Sequence, residues 1–251
     1  RFIPDPEQIK SLIGPRTRAI VVINPNNPSG AVYDVETLRE IADIAAQNDV
    51  VLLADEIYDQ MVYDEAQFVP MATIAGEGVC VTFSGLSKVY RACGYRVGWC
   101  VFSGNLEAAR DYVHGMELLA ALRLCANVPG QWAVQTALGG FQSIGELVQP
   151  GGRLYQQRQV VIDRVAESDH LDMCKPMGAM YAFIRLAGRF AAQFDDRGFA
   201  QELLEDKHVL VAPGSSFNTP YSDHFRITTL PDADTLHVVF DRIDELLAQY
   251  L

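Results

Sequence analysis

Positive charge is scarce in this sequence: 20 Lys and Arg stand against 32 Asp and Glu, a formal net charge of −12. Such a field repels nucleic acid and anionic membrane, so neither is expected as a partner, and any anion must be held by locally placed groups. Long hydrophobic runs are missing too, and no stretch approaches the length of a membrane span. The five cysteines, Cys80, Cys93, Cys100, Cys125 and Cys174, show no C-x-x-C spacing and make an odd total. That pattern excludes a disulfide framework or zinc ribbon and points to buried thiols in a reducing, cytoplasmic compartment. The five histidines, His114 and His224 among them, lack metal-ligand spacing and read as structural, so no metal is expected. Internal repeats and low-complexity tracts are absent. The opening "RFIPDPEQIK" has neither an initiator Met nor a signal-like apolar core, which reads as a piece of a longer cytosolic chain.

What is present describes an ordinary globular protein, with 251 residues, 49% apolar and 21% charged. To about residue 104, short β-rich runs alternate with a helical period. "RAIVVI" (18–23) and "VVLLA" (50–54) read as buried strands, and between them Val35, Leu38, Ile41, Ala42 and Ala45 recur at helical spacing. This β-α-β unit implies a parallel sheet with a right-handed crossover. "VCVTF" (79–83) and "RVGWCVF" (96–102) continue the strands, and so short a sheet implies earlier strands before Arg1. From Leu106 to about Ser168 the reading is helical, interrupted at "NVPGQ" (127–131) and "QPGGR" (149–153). Then "GAMYAFIRL" (178–186) and "HFRITTL" (224–230) alternate like strands with one solvent face, with helices near 196–206 and 233–249 over the other. The expected division is a partial α/β domain over 1–150 and a smaller α+β domain over 151–251.

Three loops follow the carboxyl ends of these strands, where open α/β sheets build ligand sites. "NPNNPSG" (24–30), "ADEIYD" (54–59) and "GLSK" (85–88) deliver Asn27, Asp55, Tyr58, Ser87 and Lys88 to one rim. Singly each is weak, since Asn-Pro is common in turns and Asp after a strand often caps a helix. Lys88 is the odd member, because Arg91 and Arg96 already supply positive charge beside it. Like charges favour the neutral form of an amine, and a neutral amine is a nucleophile.

Taken in order, "NPNNPSG", "ADEIY", "GLSK" and "GYRVGW" resemble the motifs of the class I/II aminotransferases, fold-type I enzymes that use pyridoxal 5′-phosphate (PLP). The segments "MELLAALRLCANVPGQWAVQTALGG" and "TPYSDHFRITTLP" bring the chain nearest to the glutamate–pyruvate (alanine) group of that family. The resemblance implies an α/β fold: a PLP-transferase large domain of mostly parallel sheet with helices on both faces, its N-terminal part missing, and a smaller C-terminal domain. It implies that Lys88 carries PLP as a Schiff base and shuttles the substrate proton. Asp55 would partner the pyridine nitrogen, and Asn27 and Tyr58 the phenolic oxygen. Ser87 and Arg96 would hold the phosphate. Arg226 would pair with the substrate α-carboxylate, with Asn27 beside it, and Gly178 would leave room for substrate. The family form Ser-x-Ser-Lys is broken here, Gly85 standing in the first serine's place with Ser84 one step earlier.

The implied activity is amino transfer between an L-amino acid, alanine or glutamate, and a 2-oxo acid, pyruvate or 2-oxoglutarate, by a homodimer. Alternatives built from the same motifs are an aspartate aminotransferase or a carbon–sulfur β-lyase, the latter recognised by release of ammonia and pyruvate without an oxo-acid acceptor. A third, non-enzymatic alternative is the ligand-sensing domain of a transcription regulator, which the acidic charge does not favour.

Overall fold

A computed structural model describes residues 2–187 and 194–250 of the chain. They fall into two compact units. The first holds residues 3–25 and 32–145, and the second residues 2 and 26–31 together with the described residues from Glu146 onward.

The first unit is built on a four-stranded sheet in the order β1 (Ala19–Ile23), β2 (Val51–Asp55), β3 (Cys80–Gly85), β4 (Gly98–Ser103). β1, β2 and β3 run parallel, as the β-α-β pattern requires, and β4 returns antiparallel to β3. Helix α1 (Pro6–Leu12) precedes the sheet, and α2 (Val35–Gln47) makes the crossover from β1 to β2. α2 starts where the Asp34 side chain accepts the Thr37 N–H at 2.7 Å. Its buried stripe is Leu38, Ile41, Ala42, Ile44 and Ala45, the helical period read from the sequence.

Helices α3 (Arg110–Leu122) and α4 (Val128–Gly139) follow β4, and α5 (Ile144–Val148) spans the change from the first unit to the second. The helical run breaks over 123–127, so the expected interruption holds at Asn127, while the rest of "NVPGQ" begins α4: Asn127 caps the Gly130 N–H at 3.2 Å and Pro129 sits in the first turn. A proline is tolerated there because the N–H it lacks would have no intrahelical acceptor.

The second unit contains α6 (Arg153–Glu167), β5 (Leu171–Met173), β6 (Tyr181–Leu186), α7 (Asp196–Lys207), β7 (Ala212–Pro213), β8 (His224–Thr228) and α8 (Ala233–Leu247). Its antiparallel sheet has the order β5-β6-β8-β7. The short strands β5 and β7 have too few residues to show an alternation and were not legible beforehand. Strand periodicity sorts the two faces. Ala182, Ile184, Leu186, Phe225 and Ile227 join Val161, Phe199, Leu203, Leu236, Phe240 and Ile243 of the helices in one core. Register then places Phe183 opposite Arg226, and Tyr181 opposite Thr228, on the other face.

Candidate active site

In the first unit the functional side chains sit where β2 and β3 end. Asp55 is the last residue of β2; its carbonyl accepts the Asn24 N–H at 3.1 Å and its carboxylate accepts the Ile57 N–H at 3.2 Å. The Glu56 N–H donates to the Phe83 carbonyl at 2.9 Å, which ties the loop carrying Asp55 and Tyr58 to the strand that leads into "GLSK". Tyr58 is buried, and the Lys88 Nζ lies 5.9 Å from the centre of its ring. Lys88 is half-buried and begins a turn in which the Arg91 N–H bonds its carbonyl at 2.9 Å.

The arginines around Lys88 have different fates. Arg91 is committed elsewhere, its Nη2 donating to the Ser143 Oγ at 2.5 Å. Arg96 stands on left-handed backbone at φ 51, is exposed, and points its Nη1 at the Cys93 carbonyl at 2.8 Å and at the Ser87 Oγ at 3.5 Å. A hydroxyl beside a planar guanidinium suits a phosphate dianion. Ser84, one step off the family pattern, lies within β3 opposite Trp99.

This unit also holds two acids, one buried and one half-buried, that sequence reasoning missed. Glu56 is almost wholly buried and accepts the Met71 N–H at 2.7 Å. Burial first, then the nearby carboxylates of Asp59 and Asp55, push its carboxyl up to about 7. Burial likewise raises Asp59. Neither could be told from "ADEIYD" alone, since an acid next to a strand end is normally solvated.

In the second unit the centre is Arg226. Its Nη1 donates to the Asn27 Oδ1 at 2.9 Å, joining positions 199 residues apart in sequence. Its Nε is buried with no hydrogen-bond partner, and no carboxylate among the described residues pairs with it. A buried guanidinium nitrogen without an acceptor is costly, and a bound anion is the partner that relieves it. Asn27 is held by its own loop: the Asn26 Oδ1 accepts from the Ser29 backbone and hydroxyl, at 3.2 and 2.7 Å. Gly178 is buried, and its N–H donates to the Gly30 carbonyl at 2.8 Å, as does that of Met177.

Gly30 is the glycine whose shape matters most here, and the sequence reading passed over it. Its φ is +68, and a Cβ there would lie 2.4 Å from the Pro176 Cβ. The signal was the turn chemistry of Pro-Ser-Gly itself, in which glycine readily supplies a left-handed residue.

The donor set of the first unit fits PLP group by group: a carboxylate for the ring nitrogen, a phenol for the phenolic oxygen, an amine for the aldehyde, a hydroxyl and guanidinium for the phosphate. A mostly parallel sheet carries these side chains at its strand ends, and the second unit adds an arginine whose buried Nε has no partner. The chain belongs to the family "Aminotransferase class I and II", whose model matches residues 1–243.

Among its relatives, the glutamate-pyruvate aminotransferase AlaA of Escherichia coli (strain K12) is 45% identical over 249 residues, 99% of this chain and 62% of that one. The alanine aminotransferase of Mycobacterium bovis is 46% identical over 247 residues, 98% of this chain and 58% of that one. A solved aminotransferase structure from Escherichia coli superposes with a TM-score of 0.95 at 45% identity, covering 98% of this chain and 61% of its own. The chain thus spans less than two thirds of the length of these relatives. Among the described residues, no helix is long and apolar enough to cross a membrane.

Proposed function

We propose that the protein to which this chain belongs transfers an amino group between alanine or glutamate and pyruvate or 2-oxoglutarate, using PLP, as a cytoplasmic homodimer. The observation that carries the reading is the approach of the Lys88 amine to the buried Tyr58 ring on the rim that also ends in Asp55. The names of the relatives above support the choice of substrates, and the five free cysteines fit a reducing compartment, although Cys93, Cys100 and Cys125 are exposed and not buried as expected. Leu122, Leu124 and Trp132 are strongly exposed on or beside α3 and α4, and a second copy would cover such a surface.

When bound, PLP supplies an electron sink for bond changes at the substrate Cα. Lys88 would hold the cofactor through its Nζ, and its amine would serve as the base and acid for the proton at the substrate Cα. Asp55 would partner the ring nitrogen and favour its protonated form. Tyr58 and Asn27 would be the hydrogen-bond donors for the cofactor's phenolic oxygen, and Ser87 and Arg96 would bind its phosphate. Arg226 orients the α-carboxylate of both amino and oxo acid, so one cation serves both half-reactions. Gly178 leaves space for the substrate.

The test is a steady-state assay of the full-length enzyme. Alanine with 2-oxoglutarate should yield pyruvate and glutamate, with a kcat/KM well above that for aspartate. The stretch "NVPGQWAVQ" contains no arginine to meet a second carboxylate, and an unpaired one would cost several kcal/mol on burial. Clear preference for aspartate would overturn the substrate assignment, and ammonia release without an acceptor would replace transfer by elimination.

A further inference from the structure

Arg226 lies on the face of the second unit's sheet that turns away from the helical core. Its guanidinium carbon is 4.4 Å from the ring centre of Tyr181 and 4.8 Å from that of Phe217. These rings come from different elements. Tyr181 opens β6, and Phe217 ends the 3₁₀ turn Gly214–Phe217, which the left-handed Asn218 terminates at φ 54. The Phe217 ring is in turn held edge-on by the buried Phe183, centre to centre 5.9 Å.

An arginine side chain has several rotatable bonds and is strongly hydrated, so freezing it in one orientation at the moment of binding lowers affinity. Two rings within cation–π range, together with the Asn27 bond at Nη1, do that freezing in advance. They also displace water, which strengthens the attraction between guanidinium and a carboxylate. An aromatic face accepts no carboxylate and competes for none of the N–H groups, so the orphaned Nε stays available.

We propose that Phe217 and Tyr181 are positioning residues that pre-orient and desolvate the Arg226 guanidinium, and so set the affinity for the carboxylate common to amino-acid and oxo-acid substrates. The proposal rests on the reading of Arg226 as the carboxylate holder. It predicts a split between binding and turnover, because what the two rings contact is the Arg226 guanidinium. A purely structural pair of rings would alter stability and leave substrate affinity alone.

The experiment uses the full-length PLP enzyme and glutarate, a dicarboxylate without an amino group, titrated by calorimetry, alongside KM and kcat for alanine and 2-oxoglutarate. Phe217→Met keeps apolar bulk and removes the ring, and Phe217→Tyr restores a ring. Phe217→Met should weaken glutarate binding and raise both KM values about three- to tenfold, the cost of ordering one long side chain on binding. Its kcat should stay within about twofold of wild type, on the same reasoning that the rings act on binding alone. Phe217→Tyr should recover most of the affinity. Tyr181→Leu, read the same way, serves if Phe217→Met does not fold. Unchanged glutarate affinity in the folded ring-less variant, or a loss in kcat with KM unmoved, overturns the positioning role. Arg226→Gln separates this from the underlying reading: if it too leaves glutarate binding intact, Arg226 does not hold the carboxylate at all. If it abolishes binding while Phe217→Met does not, only the role of the rings falls.

Discussion

Replacing Glu56 with Gln should make the protein more stable at neutral and alkaline pH while changing little in acid. Glu56 is 6% exposed, it accepts the Met71 N–H, and Asp55 and Asp59 lie near enough to repel its charge. The folded chain holds the proton more tightly than the unfolded chain does, about 7 against 4.5. Stability therefore falls as pH rises through that window, and the penalty is absent below it and complete above it. A rise of that size costs the ionised form about 3 kcal/mol, and residual solvent screening reduces this to about 2 kcal/mol. Gln has the same shape and can still accept from Met71, but cannot ionise. The assay is urea denaturation followed by circular dichroism at constant ionic strength from pH 5 to 8. The difference between variant and wild type cancels every other titrating group. It should be about a quarter of its full size at pH 5, where the unfolded carboxyl is already largely ionised, and reach about 2 kcal/mol in favour of the variant at pH 8. A difference that does not change with pH would show that the Glu56 carboxyl does not carry the burial penalty assigned to it.

Three further outcomes test the site. Lys88→Ala should leave the circular dichroism spectrum intact yet lose the visible absorption of lysine-bound PLP and all turnover; retained absorption would place the cofactor on another amine. Asp55→Asn should still bind PLP but transaminate far more slowly, because an amide cannot hold the ring nitrogen protonated and a preorganised charge is worth about 3 kcal/mol in the transition state; single-turnover rates equal to wild type would remove Asp55 from the site. Gly30→Ala forces an L side chain into positive φ against Pro176 and should destabilise the fold by about 2 kcal/mol or more, with an unchanged melting midpoint as the contrary result.

Much of the local structure was legible from residue order alone. The period of Leu38, Ile41 and Ala45 made α2 readable, and the alternation of "AMYAFIRL" and "HFRITTL" marked β6 and β8 within a few residues. Motif order was enough to name the family, because each motif sits at a strand end where the chain must turn and where backbone and side chains reach a ligand together. Local signals placed one boundary a few residues late: the helical run breaks over 123–127 and Pro129 is already in the first turn of α4, since proline obstructs a helix only from its interior.

Long-range contacts decided the rest. No periodicity shows that Asn27 will meet Arg226 across 199 residues, or that Tyr181 and Phe217 will flank the same guanidinium. Those meetings depend on the pairing register of β6 with β8 and on the turn after β7. Arg91 and Arg96 look alike beside Lys88, yet one is drawn to Ser143 and the other to Ser87, because the partner that orders each side chain lies outside its own segment or turn. Whether an acid is costly depends on what covers it. Asp55 and Glu56 are neighbours in sequence and alternate about the end of one strand, so packing buries the second and leaves the first at the rim. Sequence by itself determined which elements form and which chemistry they carry; tertiary packing determined which charges are orphaned, which are desolvated and which are held still, because those properties belong to contacts between segments and to no segment alone.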